Sequence, residues 1–236
     1  MTDGVARWRQ IQSVLEREIA EGGLTPGARL PSEAQLAGRF EVNRHTVRRA
    51  LEELSRAGLV RIAQGRGSFV AEDVLAYTVA SRTRFSEWIR RHNKEPSGEV
   101  LTLVTLPAEA AVAAALQIAP GDAVVLMERL GRADGRPVSL GSHHFSVARF
   151  PRLLAGLQAG AGISEALAQG GVTDYVRQST KVTAAMPSAR EAALLAMPRN
   201  APLLVAENIN VDDRGAVVEF GIGRYPTPRV QIVFEP

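Results

Sequence analysis

Apolar positions three and four residues apart set out the first element. Trp8, Ile11, Leu15 and Ile19 fall on one face and predict a helix over 5–21, closed by Gly22-Gly23. Thr25-Pro26-Gly27 predicts a turn. Ser32 followed three residues later by Gln35 is a capping box, and it opens a short helix with Leu36, Ala37 and Phe40 facing inward. A tight turn at Glu41-Val42 leads to Asn43, whose side-chain oxygen can accept from free first-turn amides. Val47, Ala50, Leu51 and Leu54 then predict a third helix over 44–57, with Gly58 at the left-handed position that follows it. A short strand over 59–62, the glycine-rich turn 64–67 and a return strand over 68–70 complete the run. Three helices and a hairpin make a winged helix-turn-helix, predicted for 1–71.

After a linker at 72–78 the apolar period shortens toward two. Ser86 is expected to cap a helix reaching 92, with Trp88 and Ile89 inward, and 95–98 reads as a turn. Strands are predicted over 100–106, 124–130, 138–145, 176–185, 203–211, 217–225 and 230–234. Between them lie helices over 108–116, 151–157 and 163–168, and one capped by Ser188 with Glu191 three residues on. The turns at 133–137 and 212–215 force antiparallel neighbours. The fold class is therefore α+β: a winged helix-turn-helix joined to an antiparallel-sheet domain over 79–236.

Composition narrows the function. A chain of 236 residues with 45% hydrophobic content suits two packed domains. No apolar run is long enough to span a membrane, the first ten residues lack a signal-peptide core, and there is no cysteine. These features exclude disulfides and thiolate chemistry and fit a cytoplasmic protein. The net charge is only +3, so any affinity for nucleic acid must come from local placement of charge.

That placement is found at Arg44, His45, Thr46, Arg48 and Arg49, with no acid between Val42 and Leu51. An arginine fork can bond guanine O6 and N7 together, worth roughly 1–3 kcal/mol of discrimination. Arg44 and Arg48 share a face suited to this, and Arg49, further round the helix, suits phosphate. A solvated cationic face is the plainer reading of the cluster alone; the capped helix before it and the glycine-flanked Arg66 after it favour DNA. Arg39 suits either a phosphate or a pairing with Glu41.

In the second domain the candidate chemistry is anion binding. Arg82 and Arg84 precede a helix start at Phe85-Ser86, where guanidiniums and free amides can gather round an anion. Arg129, Arg132, Arg224 and Tyr225 lie on strands that can converge there; the alternative is that the arginines face solvent or pair with Glu87, Glu128 and Glu219. His143 and His144 are strand neighbours on opposite faces, unable to chelate one metal; one of them can donate to an anion. Asp212-Asp213 reads as turn chemistry. No cofactor motif, metal cluster or nucleophile–base spacing is present.

Leu30-Pro31-Ser32-Glu33, Val42 through Leu51, Gly58-Leu59-Val60 and Gln64 through Val70 resemble the DNA-binding domain of the GntR family. Arg82 through Ser86, Glu128-Arg129-Leu130, Ala133 through Val138 and Val218-Glu219-Phe220-Gly221 resemble the UTRA effector domain of its HutC branch, a chorismate-lyase-like fold. Ser81 through Gly98, Ser139 through Phe145 and Val230 through Glu235 look most like regulators of phosphonate metabolism. The resemblance implies a homodimeric repressor on palindromic operator DNA, released or tightened by a small anionic effector. It assigns operator contact to Arg44, His45, Thr46, Arg48 and Arg49, and to Gln64 and Gly65 of the wing. Effector contact is assigned above all to Phe85, Ser86, Arg129, Glu219 and Tyr225. Sugar-phosphate-binding relatives carry an Arg where this chain has Gly131 and a Glu where it has Gly141, so phosphate or a phosphonate fits better than a sugar. Another small anion, a sugar phosphate, or a lyase-like enzyme are the alternatives. The expected relay to the DNA-binding head is ordering around 82–86.

Overall fold

The computed structural model describes residues 6–71, 74–82 and 85–234. The chain divides into two compact units, Met1–Asp73 and Val74–Pro236.

The first unit holds α1 (Arg7–Ala20), α2 (Glu33–Phe40), α3 (Arg44–Arg56), β1 (Val60–Ala63) and β2 (Gly67–Val70). Ser32 and Gln35 form both arms of the capping box: the Gln35 amide donates to Ser32 Oγ at 3.3 Å, and the Ser32 amide donates to Gln35 Oε1 at 2.9 Å. Glu41 turns the chain through the left-handed region at φ 52°. Asn43 Oδ1 then accepts from the Thr46 amide at 2.9 Å and starts α3. Val47, Ala50, Leu51 and Leu54 are buried against Ile11, Leu15, Leu36, Val60 and Val70. β1 and β2 pair antiparallel. The hairpin is fastened to the α1–α2 connection by Leu30 N–H to Ser68 O and Val70 N–H to Ala28 O, both 2.9 Å.

The second unit runs β3 (Leu75–Thr78), α4 (Phe85–Arg91), β4 (Pro96–Pro107), α5 (Ala110–Leu116), β5 (Ala123–Ala133), β6 (Arg136–Ser146), α6 (Leu153–Gln158), α7 (Ile163–Gln169), β7 (Val176–Ala185), α8 (Ala189–Leu194), β8 (Leu203–Val211), β9 (Val217–Pro226) and β10 (Val230–Val233). Six strands form an antiparallel sheet in the order β4-β5-β6-β9-β8-β7. Asp134 and Gly135, at φ 48° and 75°, make the two-residue mirror-type turn between β5 and β6.

Alternation sorts the apolar residues to two faces. Leu130 and Leu140 pack on Ala192 and Leu195 at α8, and Val124 and Phe220 pack on Ala113 and Leu116 of α5. On the other face Val125, Met127 and Phe145 meet Leu153, Leu157 and Leu167 of α6 and α7. Trp88 and Ile89 of α4 cover Ala133, Ala206 and Tyr225 on that side. No helix among the described residues is long and apolar enough to cross a membrane.

Three expectations differ from the structure. Leu75–Thr78, expected as linker, is β3, paired in parallel with β10. A partner from the far end of the chain overrides a weak local signal. Pro96–Gly98, expected as a turn, opens β4, with Gly98 opposite Gly131. Pro96 stands first in an edge strand, where the missing N–H costs nothing. Ser86 lies inside α4 instead of capping it.

Arg229, in the turn between β9 and β10, is only 5% exposed. Its guanidinium donates to the carbonyls of Pro137 at 2.5 Å, Ala196 at 3.1 Å, and Leu195. Removing it leaves buried acceptors unmet, so Arg229→Leu is expected to cost about 3 kcal/mol. Urea unfolding followed by circular dichroism should show a lowered midpoint, and an unchanged midpoint refutes the clasp.

Candidate functional site

In the first unit the front of α3 exposes Arg44, His45, Arg48 and Arg49. Thr46 is half-buried and uses its hydroxyl hydrogen on Asn43 Oδ1, 3.0 Å away. Among the described residues Arg44 has no hydrogen-bond or ion-pair partner. Arg48 is turned back to Glu33, its Nε and Nη2 donating to the two carboxylate oxygens at 3.1 and 2.8 Å. The hydrogen bond from Arg48 outweighs desolvation and holds the Glu33 carboxyl below its ordinary value. Arg49 lies over the Trp8 ring at 4.7 Å, braced by α1. Arg39 pairs with Glu18 of α1 and not with Glu41. At the wing tip Gln64, Gly65 and Arg66 are exposed, and Gly65 and Gly67 take φ 71° and 105°.

In the second unit a cavity of about 450 Å³ opens over the α4, α6 and α7 face of the sheet. Glycines at Gly131, Gly141, Gly221 and Gly223 form much of its floor. Three of them are required by what lies above, Gly223 by the Tyr225 hydroxyl, which a Cβ would meet at 2.6 Å. A Cβ at Gly131 would come within 2.6 Å of the Phe85 ring, and one at Gly141 within 2.8 Å of His143 Nε2.

The polar lining forms two clusters. In the first, Glu219 is buried and accepts from His143 Nδ1 at 2.5 Å and Asn210 Nδ2 at 2.7 Å. Burial pushes its carboxyl up, but the hydrogen bonds from His143 and Asn210, with the Arg177 charge, outweigh burial and leave it below the ordinary value. In the second cluster Arg177 Nη1 donates to the Tyr77 hydroxyl at 2.7 Å, and Tyr77 stacks on Tyr225 at 5.0 Å. Burial first, then Tyr77, raises the Tyr225 hydroxyl well above its ordinary value. Arg177 Nε is buried without a hydrogen-bond partner. Arg129 sits between Gly98 and Phe85, its guanidinium 5.8 Å from the Phe85 ring centre. It has no hydrogen bond or ion pair among the described residues.

The structure thus brings Arg82, Phe85, Ser86, Arg129, His143, Glu219 and Tyr225 to one cavity. Arg82 stands at its mouth, more than half exposed and forked onto Asp174 at 3.1 and 2.5 Å. Arg84 lies outside the described residues. Arg224 is a correction. It stands between Gly223 and Tyr225 on β9, so alternation turns it to the opposite face. There it pairs with Glu191 at 2.8 Å and donates to Ser142 Oγ at 3.0 Å. Arg132 pairs with Glu99 and does not line the cavity. Of the two histidines, His143 faces the cavity; His144 faces away, bonds the Phe220 carbonyl at 3.2 Å, and is lowered chiefly by burial.

Sequence reasoning missed Tyr77, Arg177, Asn208 and Asn210 as cavity residues. The asparagines carried a usable signal: two amides spaced by two in an apolar strand must be met inside. Tyr77 was hidden in the expected linker, and Arg177 gave no local sign. Among the described residues no group of three or more His, Asp or Glu is placed to hold a metal.

The depressed Glu219 carboxyl gives a pH signature. Its contribution to stability is full above its ordinary value of 4.5 and is lost as pH falls through the lower folded value. Urea unfolding from neutral to acid pH should therefore show a steeper acid decline for the native chain than for Glu219→Gln. Equal slopes refute the pairing.

Comparison with known proteins follows the two units. Residues 8–70 match the family described as bacterial regulatory proteins, gntR family, and residues 91–231 match the UTRA domain. An HTH-type transcriptional regulator of Rhizobium meliloti (strain 1021) is 35% identical over 98% of this chain and 96% of that protein. The probable transcriptional regulator PhnF of Escherichia coli (strain K12) is 31% identical over 97% and 95%. The crystal structure of PhnF from Mycobacterium smegmatis superposes with a TM-score of 0.63 at 25% identity, covering 96% of this chain and 98% of that one. This chain belongs to the GntR family of bacterial transcriptional regulators, with a winged helix-turn-helix head and an antiparallel-sheet UTRA domain.

Proposed function

We propose that the protein is a homodimeric repressor of phosphonate- or phosphate-related genes, governed by a small oxyanion held in the UTRA cavity. The observation that carries the effector reading is the cavity's donor set. Arg129 has no partner among the described residues, and Arg177 lines the same cavity. Such donors favour an anionic guest. Relatives named PhnF support the phosphonate assignment, and the one from Mycolicibacterium smegmatis is named a repressor. The glycines at 131 and 141 support a compact ligand, since the Phe85 ring and the His143 imidazole occupy the space a larger side chain would need.

On the DNA side, Arg44 is the free fork of α3 and reads bases. Arg48 exchanges Glu33 for the operator, and His45 and Thr46 border that contact. Arg49, braced on Trp8, holds phosphate. Gln64, Gly65 and Arg66 bring the wing to the duplex. Two heads on a palindrome supply the base contacts that one head lacks.

Gel shifts with the DNA upstream of the gene test this reading. Arg44→Ala should weaken operator binding about tenfold or more while leaving random-DNA binding nearly unchanged. Arg49→Ala should weaken both alike and flatten the salt dependence. Equal losses for Arg44→Ala reject the division, and no shift at low salt rejects DNA binding. Methylphosphonate or inorganic phosphate should alter the native shift, and Arg129→Met should remove that response without removing the shift. A shift indifferent to both anions points to a DNA binder without this effector.

A further inference from the structure

The His143–Glu219 pair does more than line the cavity. The carboxylate is buried, and its two oxygens are taken by His143 Nδ1 and Asn210 Nδ2. An ionised carboxylate only accepts, so the imidazole carries a hydrogen on Nδ1. The tautomer is thereby settled, and Nε2 is the end left for chemistry. Nε2 stands above Gly141, has no hydrogen-bond partner among the described residues, and belongs to a ring that lines the cavity.

A neutral ring with its hydrogen on Nδ1 presents a lone pair at Nε2. In a cavity that Arg129 and Arg177 also line, that lone pair opposes the anion the arginines attract. Protonation at Nε2 reverses the conflict: the ring becomes a donor to the guest and a counter-charge to Glu219.

We propose that the cavity takes up its oxyanion together with one proton, which passes from solvent to Nε2 of His143 while Nδ1–H stays on Glu219. Imidazole becomes imidazolium, and no other bond changes. The charged groups facing the cavity are Arg129 on β5, Arg177 on β7, Glu219 on β9, Glu165 on α7 and the Arg82–Asp174 pair at the mouth; His144, next on β6, faces away. A dianion set among them adds negative charge beside an ionised carboxylate and draws the proton in. His143 thus makes the effector response pH-dependent and selects oxyanions over neutral guests. This inference rests on the effector reading above.

Isothermal titration with methylphosphonate tests it. The full-length protein is titrated at a pH where the probe is already a dianion, in two buffers of different ionisation enthalpy. The native chain should take up about one proton per site, and its affinity should fall about tenfold per pH unit on the alkaline side. His143→Asn should bind about tenfold or more weakly with no proton uptake. His143→Gln repeats the measurement, and a cooperative thermal transition with native near-ultraviolet circular dichroism in either variant excludes a general loss of structure. Binding by the native chain without proton uptake overturns the proposal whatever the variants do, as does undiminished uptake in a folded His143 variant. If neither methylphosphonate nor inorganic phosphate binds the native chain, the effector reading itself fails and takes this one with it.

Discussion

Strand alternation is the constraint on which the second unit depends. Along β5, β6 and β9 every second side chain faces the same side of one sheet. Leu130, Leu140 and Phe220 go to the side closed by α5 and α8; Arg129, His143 and Glu219 go to the side that α4, α6 and α7 only partly cover. The partial cover leaves a cavity, and alternation fills its floor with residues that apolar packing does not need. Glycine on that floor has a further effect. With no Cβ at 131 and 141, Phe85 and His143 can lie close to the backbone, and the chemistry is brought down onto the sheet.

The same logic, with a period of 3.6, governs the head. Val47, Ala50, Leu51 and Leu54 bind α3 to the core, so its charged face has no inward option. What the helix does with those charges is decided by its neighbours. Glu33 holds Arg48 and Trp8 supports Arg49, while Arg44 is held by neither. The Arg48–Glu33 pair is exposed on both sides, and exposed pairs are weak and screened by salt. It can orient Arg48 without greatly resisting its transfer to a nucleic acid.

Among the described residues, polar side chains inside the second unit are matched. Asn210 meets Glu219, Arg229 meets three carbonyls, and Arg149 meets Asp212. The exceptions fall at the cavity, where the Arg177 Nε has no partner and Arg129 rests on an aromatic ring. An unmet donor in a closed core is costly.

Periodicity, caps and turns in the sequence determined the helices of the head, its wing, the antiparallel hairpins and the face each strand residue takes. These signals are local, written within a few residues of where they act. His143 over His144 as the cavity residue, and the union of Arg82 with Phe85, Arg129, Glu219 and Tyr225, could only be decided by assembly, because they depend on which strands become neighbours. Pairing made a strand of Leu75–Thr78 and brought Tyr77 to the cavity. It added Arg177 from the edge strand β7 and set Asn210 beside Glu219. It also sent Arg224 to Glu191, because Gly223 and Tyr225 on either side of it already faced the cavity. A side chain's direction is a property of its own strand, whereas its partner is a property of the whole sheet.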